Sequence, residues 1–183
     1  MKNKLKIKIN NKKGFTLLEL IVSVAIIGIV SSISIANYKS VNIQNRLVTS
    51  THNLVNNLRL SQTYSLGSKE FGGNISSGGW GVYFNIANPD YYIIFADTNG
   101  DKDYTSSAEK HQQVELSKNV SINKISDIFH ASLSELAITF VPPDPTIYIN
   151  SSTINTASII LNEDINNSTS TISINFFGLV DYE

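Results

Sequence analysis

The sequence predicts an α+β fold, in which one long N-terminal helix packs on a globular domain rich in antiparallel β-sheet. Three observations predict it. No proline occurs between residues 15 and 66, and the apolar spacing there is helical. From Trp80 onward, short runs of alternating apolar and polar residues are separated by turn residues. The distal part is rich in Asn, Ser, Thr and Ile with scattered charges, a composition suited to strands and turns. At 183 residues the chain fits one domain plus an appendage.

The helix has two halves. Phe15 to Ala36 (FTLLELIVSVAIIGIVSSISIA) is 22 positions with a single charge, Glu19. That length crosses roughly 30 Å of hydrocarbon as a helix, so it predicts a membrane span. Six lysines (Lys2, Lys4, Lys6, Lys8, Lys12, Lys13) and no acid precede it. By the positive-inside rule they stay cytoplasmic and the bulk of the chain goes to the opposite side. Beyond Ala36, Leu47, Thr51, Leu54, Val55 and Leu58 recur at helical spacing on one face, which predicts an amphipathic continuation over 37–67 with Gly67 as its C-terminal cap. On composition alone a secretory signal ending at Ser34-Ile35-Ala36, a plain signal anchor and a buried core helix remain as alternatives.

The stretch Phe71 to Gly79 (FGGNISSGG) is expected to be a flexible connection into the β-rich domain, 68–183. Seven or eight strands follow, at WGVYFNI, YYIIFAD, QQVEL, VSINKI, LAITFV, TIYIN, ASIILN and TISINFF. Pro142-Pro143-Asp144-Pro145 marks a rigid turn. One helix across one antiparallel sheet is the economical arrangement.

Several chemistries are excluded or disfavoured. There is no cysteine, hence no disulfide, thiolate metal site or cysteine nucleophile. His52, His111 and His130 are widely spaced and read as surface or packing residues, and no catalytic pattern accompanies them, so an enzyme is not expected. Glu163-Asp164 reads as solvated charge. Outside residues 1–14 the chain holds eight basic against fifteen acidic residues, a net of −7, and no Lys or Arg follows Ile125. Such a surface repels nucleic acid.

One cluster has ligand-like spacing. Asp97, Asn99, Asp101 and Asp103 alternate, as oxygen ligands do in Ca²⁺ loops. It departs from an EF-hand, because Gly100 is the fourth position, not the sixth, and Glu109 falls one step after the twelfth. An Asx-rich turn between strands is the favoured reading, with no metal or other cofactor expected, and a Ca²⁺ site on those four residues is the alternative.

Glu19 is the sharpest clue, since a carboxylate within a membrane helix costs about 2.5–3.5 kcal/mol and needs a reason to be there. Lys12-Lys13-Gly14-Phe15-Thr16-Leu17-Leu18-Glu19-Leu20 resembles the prepilin-type signal of type IV pilins and type II secretion pseudopilins. The resemblance implies a leader at 1–14, removed by a prepilin peptidase that cuts between Gly14 and Phe15 and N-methylates Phe15. It implies Glu19 as the acidic fifth position, pairing with the amine of Phe15 on a neighbouring subunit. The implied partners are that peptidase, other pilin or pseudopilin subunits and an inner-membrane assembly platform. The implied location is the inner membrane and then a periplasmic or extracellular filament.

A wider resemblance runs through Gly79-Trp80-Gly81-Val82-Tyr83-Phe84, Ile94 to Asp101, Ile138-Thr139-Phe140, Ile172-Ser173-Ile174 and Gly178-Leu179-Val180. These are similar to the GspH/FimT minor pilins and pseudopilins, which implies an initiating or tip subunit. A ligand-binding tip module on the same anchor, for Ca²⁺, a surface or a secreted substrate, is the alternative, and an exposed aromatic patch including Trp80 would favour it. DNA binding, which some of that group perform with basic C-terminal residues, is not expected of a chain that ends in Asp181 and Glu183.

Overall fold

The computed structural model describes residues 14–127, 131–143, 147–152, 156–175 and 177–183, and the side chains of 34–41 fall outside the description. The lysine-rich residues 1–13, His130 and the Asp144-Pro145 half of the proline turn therefore lie outside the described residues. Two compact units are present, Met1–Ser40 and Val41–Glu183. A single helix, α1 (Leu17–Leu66), contributes to both.

In the first unit, α1 opens on a capping box. The Glu19 amide donates to Thr16 Oγ1 at 3.3 Å, and the Thr16 amide and hydroxyl both donate to Glu19 Oε2, at 3.3 and 3.2 Å. Thr-x-x-Glu ahead of an apolar run is a helix start signal in its own right, because each side chain satisfies an amide that the first turn leaves unpaired. Every large apolar side chain from Phe15 to Ile33 is exposed, between 49 and 76%. Among the described residues no helix is long and apolar enough to cross a membrane. The described apolar run stops at residue 33, short of the roughly 20 residues a span requires, and the rest of the predicted 15–36 stretch lies where side chains are not described.

In the second unit the same helix is amphipathic, and Leu47, Leu54, Val55 and Leu58 are at most 5% exposed. It ends in a Schellman turn, with Ser68 N–H on the Ser65 carbonyl and Lys69 N–H on the Tyr64 carbonyl. The predicted boundary at Gly67 is observed, but the residue with positive φ is Ser68 (48°), one position later.

Among the described residues eleven strands follow: β1 (Glu70–Phe71), β2 (Asn74–Ile75), β3 (Gly79–Asn85), β4 (Tyr91–Asp97), β5 (Lys110–Glu115), β6 (Val120–Asp127), β7 (Glu135–Phe140), β8 (Ile147–Ile149), β9 (Thr156–Glu163), β10 (Ser168–Asn175) and β11 (Val180–Tyr182). They form two main antiparallel sheets, ordered β5-β4-β3-β7-β8 and β11-β10-β9-β6, with β1-β2 as a separate hairpin. One sheet had been expected; the five-stranded and four-stranded sheets instead share one core with the helix. Trp80, Val82, Phe84, Tyr92 and Ile94 supply it from one sheet, and Ile122, Ile125, Ile159, Leu161, Ile172 and Ile174 from the other.

The eight expected strands are all present, with β1, β2 and β11 in addition. The glycine-rich stretch is thus a hairpin, not a loose connection. Gly72 and Gly73 have φ of 61° and 85°, the two positive values that a two-residue hairpin turn needs. Phe71 then rests edge-on against Trp80, and Trp80 Nε1 donates to the Lys69 carbonyl.

Successive strand residues point to opposite faces, which settles where the acidic loop starts. Tyr92 and Ile94 face the main core, while Ile93, Phe95 and Ala137 form a second, smaller cluster with Tyr83, Tyr91 and Tyr104 on the other face. Asp97 continues the Ile93–Phe95 series and belongs to that second face.

Candidate functional sites

Two places carry the residues singled out from the sequence. At the N-terminal one, Gly14, Phe15 and Thr16 precede the helix in irregular backbone, and Phe15 is 73% exposed. Among the described residues, a Cβ built on Gly14 would meet nothing within 4 Å. Packing among the described residues does not require glycine there. The Gly14–Phe15 bond lies ahead of the hydrogen-bonded helix, where a peptidase can bind extended backbone.

Glu19 is exposed, and Thr16 engages only its Oε2. The local capping role was missed in the sequence, where Thr16-Leu17-Leu18-Glu19 could have signalled it. Glu19 therefore has a role within its own chain and still has a second oxygen to offer to another.

The second place is the segment between β4 and β5. Asp97 is fully buried, and its oxygens accept from the Gly100 and Lys102 amides at 2.7 and 2.8 Å. Gly78 makes room for it, since a Cβ at that position would lie 1.9 Å from Asp97 Oδ2. Burial pushes the Asp97 carboxyl above the usual range, opposed by those two amides and reinforced by the charges of Asp101 and Glu109.

The alternating acids do form Asx turns. Asn99 Oδ1 accepts from the Asp101 amide at 2.9 Å, and Asp101 Oδ1 accepts from the Asp103 amide at 3.0 Å. Asp103 Oδ1 accepts from the Tyr104 amide at 2.8 Å. Asn99 Nδ2 and Thr105 Oγ1 both donate to Asp101 Oδ2, each at 2.8 Å. Desolvation works against ionised Asp101, but the bonds from Thr105, Asp103 and Asn99 outweigh it and hold its carboxyl below the usual range. Burial raises the Asp103 carboxyl, against the bond from Tyr104.

The loop closes through a short 3-10 turn, Ser107–Glu109, with its own capping box: Ser106 Oγ accepts from Ala108 N–H, and Glu109 Oε2 accepts from the Thr105 and Ser106 amides at 3.2 Å. This tight turn brings Glu109, which stands one step late for an EF-hand, back onto the acids at the loop's start. Carboxylate oxygens of Asp97, Asp101 and Glu109 lie within 4.8 Å of one another. Of the four residues expected as alternative ligands, Asp97 and Asp101 are in this group, while Asn99 and Asp103 serve the turns. A β-bulge follows at once, with Ile94 opposite Gln112 and Phe95 opposite Lys110.

The remaining candidates are structural. Trp80 is 1% exposed and meets Tyr64, Phe71 and His111 edge-on, so no exposed aromatic patch is built around it. Burial, with Lys69 nearby, lowers the His111 pKa. His52 packs against the Tyr182 ring. Glu163 is buried, not solvated as expected, and accepts from the Ile165 and Asn166 amides in the β9–β10 turn.

Comparison with curated proteins and with solved structures gives no match. A family model described as the prokaryotic N-terminal methylation motif matches residues 9–35. That span contains Gly14, Phe15, Thr16 and Glu19 together with the apolar residues that the first unit leaves exposed. The motif family is structural, not enzymatic, and is associated with processing by a prepilin peptidase. The chain thus carries the N-terminal methylation motif of type IV pilin-like proteins.

Proposed function

We propose that this protein is a minor pilin or pseudopilin, an initiating or tip subunit of a type IV pilus or type II secretion pseudopilus. A prepilin peptidase cuts between Gly14 and Phe15 and methylates the new amine. Residues 15–36 hold the precursor in the inner membrane as a single span, with the globular unit outside the cytoplasm, and then pack among neighbouring subunits on an inner-membrane assembly platform. The resemblance to GspH/FimT proteins supports the tip or initiating role.

The observation that carries this reading is the exposed apolar stretch of α1. Twelve large apolar side chains from Phe15 to Ile33 stand exposed. At about 1.5–3 kcal/mol each, leaving them in water costs on the order of 20 kcal/mol. Lipid before assembly and neighbouring helices after it remove that cost. Cleavage creates an amine with a reference pKa of about 7.7–8 beside this apolar surface, and the free oxygen of Glu19 on an adjoining subunit offsets its charge.

The capping box makes Glu19→Gln the decisive variant, because glutamine keeps the N-terminal cap and removes the charge. Both Glu19→Gln and Glu19→Ala should be cleaved normally, read by N-terminal mass in cells expressing a prepilin peptidase. Neither should enter filaments at more than about a tenth of the wild-type level, the occupancy expected for an unpaired buried amine. Normal incorporation of Glu19→Gln would reduce Glu19 to a helix cap and remove the charge-pairing mechanism.

A further inference from the structure

We propose that the loop between β4 and β5 binds one Ca²⁺ ion, held by carboxylate oxygens of Asp97, Asp101 and Glu109.

The first support is an oxygen with nothing to do. Glu109 is 99% buried, and although Oε2 receives two amides, Oε1 is buried with no hydrogen-bond partner. A buried carboxylate oxygen in that condition is costly, and it lies among two further carboxylates. No described Lys or Arg forms an ion pair with any of the three. Three like charges in so small a space, two of them buried, call for a cation from outside the chain.

The geometry suits calcium. Ca²⁺ takes oxygen ligands at about 2.3–2.6 Å, so oxygens that share one ion lie no more than about 5.2 Å apart, and the three carboxylates here offer oxygens within 4.8 Å of one another. Neither His nor Cys is in the group, which disfavours zinc. Water completes the six to eight positions on the Asp101 side, where the group reaches the surface.

The ligands are fixed in advance of binding. Asp97 is seated on Gly78 at the end of β4, and Glu109 is fixed by the Ser106 capping box. The loop between them is tied to its surroundings by Thr139 Oγ1 on the Lys102 carbonyl and Ser151 Oγ on the Asp101 carbonyl, at 2.9 and 2.7 Å. Each Asp97 oxygen receives one amide, which leaves a lone pair for a metal.

The test uses the full chain in detergent micelles, with calorimetric titration of CaCl₂ and thermal unfolding in Ca²⁺ against EGTA. One saturable site and a higher unfolding temperature in Ca²⁺ are expected, with Mg²⁺ at least about tenfold weaker. Asp101→Asn, at an exposed position, should fold normally and weaken Ca²⁺ binding about tenfold or more, and Glu109→Gln should do the same. If Glu109→Gln does not fold, Asp101→Asn decides alone. No heat and no thermal shift up to about 10 mM Ca²⁺, or undiminished binding by Asp101→Asn, would overturn the site. The readout is metal binding, so it succeeds or fails independently of filament assembly.

Discussion

The two stretches of α1 have the same backbone and opposite surroundings. Between residues 17 and 33 its large apolar side chains are exposed, whereas Leu47, Leu54, Val55 and Leu58 further along are at most 5% exposed. The difference is written in the residues around them. The second stretch has a polar face of Asn, Arg, Gln and Ser and needs one apolar partner, which the sheets of its own chain supply. The first is apolar on every side, so one packing surface cannot satisfy it. The folded half finds its core within the chain; the exposed half has no such core among the described residues.

Identical substitutions in the two stretches give the largest contrast. Leu58→Ala should destabilise the second unit by about 2–5 kcal/mol, the usual cost of removing a buried leucine side chain. Leu20→Ala should change the same transition by less than about 0.5 kcal/mol. Trp80 is the only tryptophan and lies in that unit's core, so its fluorescence in a denaturant titration reads both. A similar loss from Leu20→Ala would mean that the exposed stretch has partners in its own chain, which would break the comparison.

A second contrast concerns polar groups. The folded half takes Tyr92 into its core only with a partner, Asn57 Nδ2, which donates to the phenol oxygen at 2.7 Å. Burial, slightly opposed by that bond, pushes the Tyr92 pKa up to about 12. The sign follows from linkage. Below pH 10 both folded and unfolded states hold the proton, and above that the unfolded chain loses it first. Stability is therefore full below about pH 10 and falls on the order of 2–3 kcal/mol as pH approaches 12. Denaturant midpoints between pH 9 and 12 should show this loss in the wild type and a shallower one in Tyr92→Phe. Equal slopes would place the phenol in water.

Most of the fold was legible because its signals are local. Proline-free helical spacing gave α1, and period-two alternation found eight strands. What escaped was decided at longer range or by pairs of residues. No alternating run could announce β1 and β2, two residues each, because their pairing rests on the Gly72-Gly73 turn and on Phe71 packing against Trp80. Two sheets instead of one follows from which strands pair, and β6 joins β9 across the intervening β7 and β8. At the candidate sites, Gly14, Phe15 and Glu19 stood out because charge and apolarity change abruptly there. Asp97 and Asp101 were visible by alternation, but Glu109 depended on a 3-10 turn, whose three residues to a turn shift the ligand count by one.

The smallest predicted effect sharpens the comparison at the two ends of α1. The N-terminal end uses side chains, Thr16 and Glu19, in a box that any extended chain can form. The C-terminal end uses backbone alone, with Lys69 N–H reaching the Tyr64 carbonyl, and this forces Ser68 to a φ of 48°. A left-handed residue with a Cβ costs about 1–2 kcal/mol, part of which glycine recovers before its greater freedom in the unfolded chain is counted against it. Ser68→Gly should therefore stabilise the second unit by about 0.5–1 kcal/mol, seen as a higher denaturant midpoint with an unchanged slope. Ser68→Val, β-branched at the same φ, should lower the midpoint. If glycine brought no gain, the strain would not reside at Ser68, and the end of α1 would be held by the packing of Phe71 and Trp80 instead of by its turn.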